Sequence, residues 1–284
     1  MPAIPEPPVP TPDCRSVTFI GGGNMARSLI GALLHGGAAS GSIAVAEPDA
    51  ALRRALASDF GIAVHESNAD AVRDASIIVL AVKPQVMHVV CAEIATALGD
   101  RRPLMISIAA GIRLDQLRRW LAAEFPIVRA MPNTPALIGA GISGLIANRT
   151  VDASQRAQAE AILAAAGETV WIEHEELMDT VTAVSGSGPA YFFLMVEALE
   201  DAAVAQGLPR SSAHLLATRT CLGAGRMLTE GDDAPSDLRK RVTSPGGTTQ
   251  AALDAFAASD FRTLIARVIA AATERGRELS DRLD

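Results

Sequence analysis

Cysteine is scarce and scattered. Cys14, Cys91 and Cys221 lie far apart without CxxC spacing, which supports neither a disulfide framework nor a zinc site and suits a reducing cytoplasm. The five histidines, His35, His65, His88, His174 and His214, share no ligand spacing, so no metal is expected. No uncharged apolar run is long enough to cross a bilayer, and no charged segment precedes an apolar signal core, so a cytoplasmic chain without a membrane partner is expected. Lysine is nearly absent, with Lys83 and Lys240 the only two among 25 basic residues, and the net charge is −7. Nucleic acid and anionic membranes are bound mainly through clustered Lys and Arg, so neither is an expected partner.

What is present is an ordinary globular composition, 49% hydrophobic and 20% charged over 284 residues. Such a chain can bury a large core, and its length suggests about two domains. Residues 1–13, MPAIPEPPVPTPD, are too rich in proline for a strand or helix interior, and residues 1–15 read as a disordered tail.

The organising stretch is Val17 to Leu34, VTFIGGGNMARSLIGALL, where an apolar β-run breaks into three glycines and then into a helical apolar pattern. Gly21-x-Gly23-x-x-Ala26 fits the dinucleotide fingerprint: the glycines leave no side chain between backbone and pyrophosphate, and the opening N–H groups of the helix face negative charge. A second strand, Ser42 to Ala46, ends in Glu47-Pro48-Asp49. An acidic residue about twenty positions after the glycines accepts hydrogen bonds from the adenosine ribose, and Glu47 there would repel a 2′-phosphate, which favours NAD over NADP. Alternatively Glu47 only opens the next helix, and Arg53 and Arg54 one turn on still reach a phosphate.

Asp49 to Asp59 reads as helix, Ile62 to Val64 as a short strand, and Ser67-Asn68 as a helix cap. The continuous apolar run Ile77 to Val82 is a strand covered on both faces; it empties into Lys83-Pro84-Gln85, where doubly wound sheets bind ligands. Leu104 to Ile108 ends in Ala109-Ala110-Gly111, again small residues at a strand end. Ile127 to Ala130 precedes Met131-Pro132-Asn133-Thr134-Pro135, a rigid loop suited to presenting polar groups. Gly141 to Ala147 reads as an edge strand, Asp152 to Ala166 as a helix and Glu168 to Ile172 as the last strand. Strand and helix alternate to this point, giving one sheet domain.

After Trp171 strand signals vanish. Glu175 to Gly207 reads as helix broken by Ser185-Gly186-Ser187-Gly188-Pro189, and backbone groups freed beside Ser187 need partners that a ligand can supply. Tyr191, the sole tyrosine, is read as core packing. Helices at Ser211 to Thr229 and Ala234 to Val242 lead to Thr243-Ser244-Pro245-Gly246-Gly247-Thr248-Thr249-Gln250, a glycine pair and hydroxyls before a helix running to about Ala258. That is a second anion site of the helix N-terminal kind, or else a simple cap. An amphipathic helix, Phe261 to Leu283, closes the chain.

Taken together FIGGGNMA, AVKPQ, RAMPNTPALIGAG, VSGSGPAYFF and VTSPGGTTQAAL resemble pyrroline-5-carboxylate reductases, which catalyse the last step of proline biosynthesis. The resemblance runs from Val17 to the final helix. It implies an α/β Rossmann domain with a mostly parallel doubly wound sheet over residues 16–174. An all-α substrate and dimerisation domain would follow over 175–284, in a homodimer that can assemble into a decamer. It implies that Ile20, Gly21, Gly22, Gly23, Asn24, Met25, Glu47, Asp49, Asn68, Ala81, Val82, Lys83, Pro84 and Ala110 line NADPH or NADH. Glu175, Thr248 and Thr249 would lie at the substrate end, with Ser187 also among the substrate-binding residues. The amides of Gly246, Gly247 and Thr248 would hold the carboxylate of pyrroline-5-carboxylate, and the Thr249 hydroxyl would meet the ring nitrogen as the catalytic contact. Two departures stand out: Glu47 where members that prefer NADPH meet the 2′-phosphate, and Arg241 where some carry asparagine. The rival readings are a hydroxyacid dehydrogenase of the same architecture and a nucleotide-binding protein without chemistry. The first would need a lysine early in the second domain, and Val184 to Gln206 contains none.

Overall fold

The computed structural model describes residues 16–282; the proline-rich tail lies outside the described residues. Among those described, eight strands form one sheet: β1 Val17–Ile20, β2 Ile43–Ala46, β3 Ala63–His65, β4 Ile77–Leu80, β5 Leu104–Ser107, β6 Ile127–Met131, β7 Gly141–Ala147 and β8 Gly167–Trp171. Their order is β3-β2-β1-β4-β5-β6-β7-β8. Every pairing is parallel except β6 with β7. The first six strands thus follow the doubly wound order, with the switch point between β1 and β4, the place where such sheets bind ligands.

The helices of this half are α1 Asn24–His35, α2 Ala50–Phe60, α3 Asn68–Ala71, α4 Met87–Leu98, α5 Leu114–Leu121, α6 Ala153–Ala164 and α7 Met178–Val181. They cover both faces of the sheet, which is why β1, β4 and β5 are buried at every position and read as unbroken apolar runs. On one face Phe19 and Val79 pack with Leu29 and Ile30 of α1, Leu56 of α2 and Ile162 of α6. On the other, Ile20, Ile78 and Leu80 pack with Met87, Cys91 and Ile94 of α4 and Leu117 of α5. Alternation along each strand divides the two cores.

The strand Gly141–Ala147 is internal, correcting the expectation of an edge. β8 adds to its free side with Gly141 opposite Gly167 and Leu145 opposite Trp171. The close approach needs glycine. Gly167 has φ +145°, and a Cβ there would stand 2.0 Å from the carbonyl oxygen of Gly141. β8 is the actual edge, its exposed positions alternating with half-buried ones. Arg156 of α6 stacks on the Trp171 ring at 3.7 Å, and Glu160 accepts from the Trp171 indole at 3.2 Å, so side chains from α6 engage this edge.

By packing, the chain divides into two units: the described residues up to Ser187 with those from Ala272 onward, and Gly188–Ala271. The expected boundary at 174/175 followed the end of strand signals, whereas this division follows contacts. In the first unit α7 lies against β7, where a Cβ on Gly144 would meet Val181 at 2.6 Å. The second unit holds α8 Gly188–Ala205, α9 Arg210–Thr229, α10 Pro235–Arg241, α11 Thr248–Ala258 and the first half of α12 Phe261–Asp281. The last turns of α12 pack in the first unit: Gln116 donates to the Ser280 carbonyl at 3.0 Å, and Arg113 pairs with Asp281 at 2.7 Å. No helix among the described residues is long and apolar enough to cross a membrane.

Two outcomes follow. Gly167→Ala combines a strained φ with a backbone clash and is expected to lower stability by about 3 kcal/mol, read by urea unfolding at fixed protein concentration; a loss below about 1 kcal/mol would mean that β8 shifts freely. Burial pushes the Cys91 thiol up to about 12, so at about pH 8 a thiol reagent should leave Cys91 unmodified until denaturant is added. Native labelling at the rate of free cysteine would contradict its placement.

Candidate functional site

The fingerprint turn leaves β1 after Ile20. Gly21 takes φ +96°, and a Cβ on it would stand 2.9 Å from the Ala81 carbonyl oxygen; its amide donates to Ala46 at 2.8 Å. The strand ends of β1, β2 and β4 are thereby held together, and the Ala81 amide adds a bond to Ile20 at 2.8 Å. Gly22 approaches α2 so closely that a Cβ would meet a Leu56 methyl at 2.5 Å. Gly23 caps α1 with no side-chain hydrogen bond, and nothing lies within 4 Å of where its Cβ would stand. Asn24 and Met25 form the first turn behind it, and Ala26, 1% exposed, lets the helix lie on the sheet. Open space before uncapped helical N–H groups fits a pyrophosphate.

Beside the turn is a cavity of ≈ 920 Å³ whose lining includes Gly21, Ala46, Pro48, Glu66, Asn68 and Val82. Glu47 does not project freely into it. Its carboxylate is buried and accepts from the Gly22 amide at 2.9 Å and the Asp49 amide at 3.0 Å. Asp49 in turn caps α2 by accepting from Ala51 and Leu52, both at 2.8 Å; these backbone bonds hold its carboxyl below the usual range. Asn68 donates to Glu93 at 2.7 Å. Lys83 and Ala110 are exposed just beyond the ends of β4 and β5, with Pro84 opening a short 3-10 turn. Glu66 and Glu93 were not anticipated, because each looks like an ordinary surface carboxylate in its sequence context.

Glu175 belongs to a different group of the same unit. Its carboxylate accepts from the Leu114 amide at 2.7 Å and from Arg129 at 3.0 Å. Arg129 is 3% exposed and also lies 3.8 Å from Asp179, so two carboxylates balance one buried guanidinium. The signal for it was visible, an arginine inside the apolar run of β6. Next to α7, residues Thr182–Gly186 form a π-helical segment where the glycine and proline pattern implied a break. Two of the freed groups, the Ser187 amide and the Ser185 carbonyl, have partners within the protein. The Ser187 amide donates to Thr182 at 2.8 Å, and Asn133 donates to the Ser185 carbonyl at 3.1 Å while accepting from Ile142 at 3.0 Å.

In the second unit, α11 opens on Gly247 with no side-chain cap. The Gly247 amide donates within the turn to Ser244 at 3.0 Å, which leaves the amides of Thr248 and Thr249 at the helix start for an anion. Gly246 is exposed, and Thr249 is half-buried. A cavity of ≈ 900 Å³ within this unit is lined by Arg239, Lys240, Thr243 and Gln250 together with Phe256 and Phe261. Arg241, the last residue of α10, is paired at 2.5 Å with Asp233, which lies just before that helix. Among the described residues no three His, Cys, Asp or Glu side chains cluster as a metal site.

Comparison with known proteins bears on both units. Residues 175–279 match the family model "Pyrroline-5-carboxylate reductase dimerisation", and residues 16–111 match "NADP oxidoreductase coenzyme F420-dependent". The chain is similar to the pyrroline-5-carboxylate reductase of Pseudomonas aeruginosa, with 48% identity over 94% of this chain and 97% of the relative. A solved pyrroline-5-carboxylate reductase from Coxiella burnetii is 40% identical with a TM-score of 0.91, covering 94% of this chain and 99% of its own. The Plasmodium falciparum pyrroline carboxylate reductase, solved with NADP bound, is 29% identical with a TM-score of 0.81 over 93% of this chain and 98% of its own. With likeness of this degree running through the glycine turn, the sheet and the helical unit alike, the chain belongs to the pyrroline-5-carboxylate reductase family.

Proposed function

We infer that this chain reduces 1-pyrroline-5-carboxylate to L-proline with NAD(P)H, the last step of proline biosynthesis. The observation that carries the reading is likeness to a curated reductase over 94% of the chain at 48% identity, which takes in the anion-binding helix starts of both units. The bound coenzyme supplies a hydride to the C=N carbon of the ring. Ile20 to Met25 hold its pyrophosphate, with Glu47, Asn68, Ala81, Val82, Lys83, Pro84 and Ala110 along the remainder.

The substrate carries a carboxylate and an imine nitrogen, and the second unit offers groups for each. Amides at Gly246 to Thr248 receive the carboxylate, led by Thr248 because Gly247 already has a partner. The Thr249 hydroxyl meets the ring nitrogen. An imine enters already protonated, so the nitrogen needs orientation and charge balance and no strong side-chain acid. Glu175 acts as a positioning residue through Arg129 and the Leu114 amide, and Ser187 ends the π-helical segment beside it.

Assembly is read as a homodimer, alone or as the unit of a decamer. The helical unit leaves Phe192, Phe193, Leu194, Leu215 and Leu216 more than half exposed, an apolar surface of the kind that a second copy covers. The chain is read as cytoplasmic. A hydroxyacid dehydrogenase is disfavoured because Val184 to Gln206 offers no lysine as acid.

NADH or NADPH should be oxidised in the presence of pyrroline-5-carboxylate, and NAD+ or NADP+ should not be reduced by a 2- or 3-hydroxyacid; the opposite pattern would overturn the assignment. Thr249→Ala is expected to lower kcat by about a hundredfold, in the range of losing one oriented catalytic hydrogen bond, with coenzyme Kd nearly unchanged. Equal losses in both would remove Thr249 from the role of substrate contact.

A further inference from the structure

Arg53, one turn into α2, is a residue that the alternative reading has reach a phosphate. Instead its guanidinium is engaged on both arms. Nη1 donates to the carbonyl oxygens of Glu47 and Pro48, both at 2.7 Å, and Nη2 donates to Glu66 at 2.9 Å. The arginine side chain is 17% exposed and that of Glu66 is 78% exposed. Glu66 follows β3 directly and lines the ≈ 920 Å³ cavity beside Pro48 and Gly21.

The charge around this end of the cavity is therefore mostly negative. Glu66 and Glu93 line it, and Glu47 and Asp49 flank the lining residue Pro48, against Arg53 and the exposed Arg54. Glu66 and Glu93 are the carboxylates that a ribose with both hydroxyls free would meet there. A 2′-phosphate brings up to two further negative charges and needs guanidinium donors with room to form a forked contact. The two carbonyl bonds fix Arg53 at the turn whether or not Glu66 is present, so Nη2 is the arm that Glu66 controls.

We propose that Glu66 selects the coenzyme, occupying the Nη2 arm of Arg53 so that the adenosine end of the cleft accepts NADH in preference to NADPH. This rests on the reading of the cavity as an NAD(P)H site. Glu66 touches no reacting atom; it is a positioning residue that works through Arg53. Removing its charge leaves Arg53 in place and frees donors for a 2′-phosphate.

The test is direct titration of NADH and NADPH, followed by nicotinamide fluorescence, on the wild-type chain, Glu66→Gln, Glu66→Asp, Arg53→Ala and the Arg53→Ala/Glu66→Gln double variant. The wild type should bind NADH more tightly. Glu66→Gln should move the Kd ratio toward NADPH by about tenfold, the scale of one hydrogen bond to a charged group. Glu66→Asp should keep most of the wild-type ratio, and the double variant should lose the shift. Wild-type preference for NADPH, an unchanged ratio in Glu66→Gln, or an equal shift in the double variant would each overturn the proposal. Failure of the reductase assignment shows separately, as tight binding of either coenzyme without turnover of pyrroline-5-carboxylate.

Discussion

The buried carboxylate of Glu47 receives the amides of Gly22 and Asp49, so one side chain ties the turn after β1 to the turn after β2. A carboxylate accepting two backbone N–H groups satisfies charge that would otherwise be costly to bury, and such charge-assisted bonds are stronger than neutral ones. The shape of the cleft depends on it. Leu56 underlies Gly22, Asp49 caps α2, and Arg53 binds the carbonyls of Glu47 and Pro48, so the two turns and the start of α2 form one connected piece. An acidic residue at this place thus shapes the site before it touches any ribose.

A second support lies deeper in the first unit. Arg129, buried in β6, meets Glu175 and Asp179, while Asn133 joins the start of β7 to the π-helical segment. Gly276 of α12 lies so near that a Cβ would stand 3.3 Å from Asp179. The returning end of α12 is thus seated against the same acid that faces Arg129. Removing one partner of a buried charge pair costs more than the pair contributes, and this places Glu175 among the groups that hold the framework.

Much of this was legible in the chain. The runs at Val17, Ile77 and Leu104 announced strands covered on both faces because a parallel sheet needs apolar side chains in both directions, and the fingerprint marks a turn where Gly21 and Gly22 leave no room for a Cβ while Gly23 faces open space. What escaped detection was pairing. β7 was read as an edge because nothing in GISGLIA records that GETVW will join it; a Cβ on Gly167 would run into the Gly141 backbone, and one on Gly141 into Ala166 and Ala136, contacts that exist only once these segments have met. The proline and glycine of SGSGPAY signalled irregular backbone correctly, but one of its partners is Asn133, about fifty residues earlier in sequence. That Arg53 was left open as a phosphate contact has the same reason: its engagement with Glu66 is a contact between elements.

The central claim is a hydride transfer to a ring imine, and the most direct measurement follows the hydride itself. With coenzyme deuterated at the transferable position of nicotinamide C4 and unlabelled pyrroline-5-carboxylate, the proline formed should carry one deuterium, on the ring carbon bonded to nitrogen and remote from the carboxylate. Proline formed without deuterium, or coenzyme oxidised with no proline formed, would contradict the account.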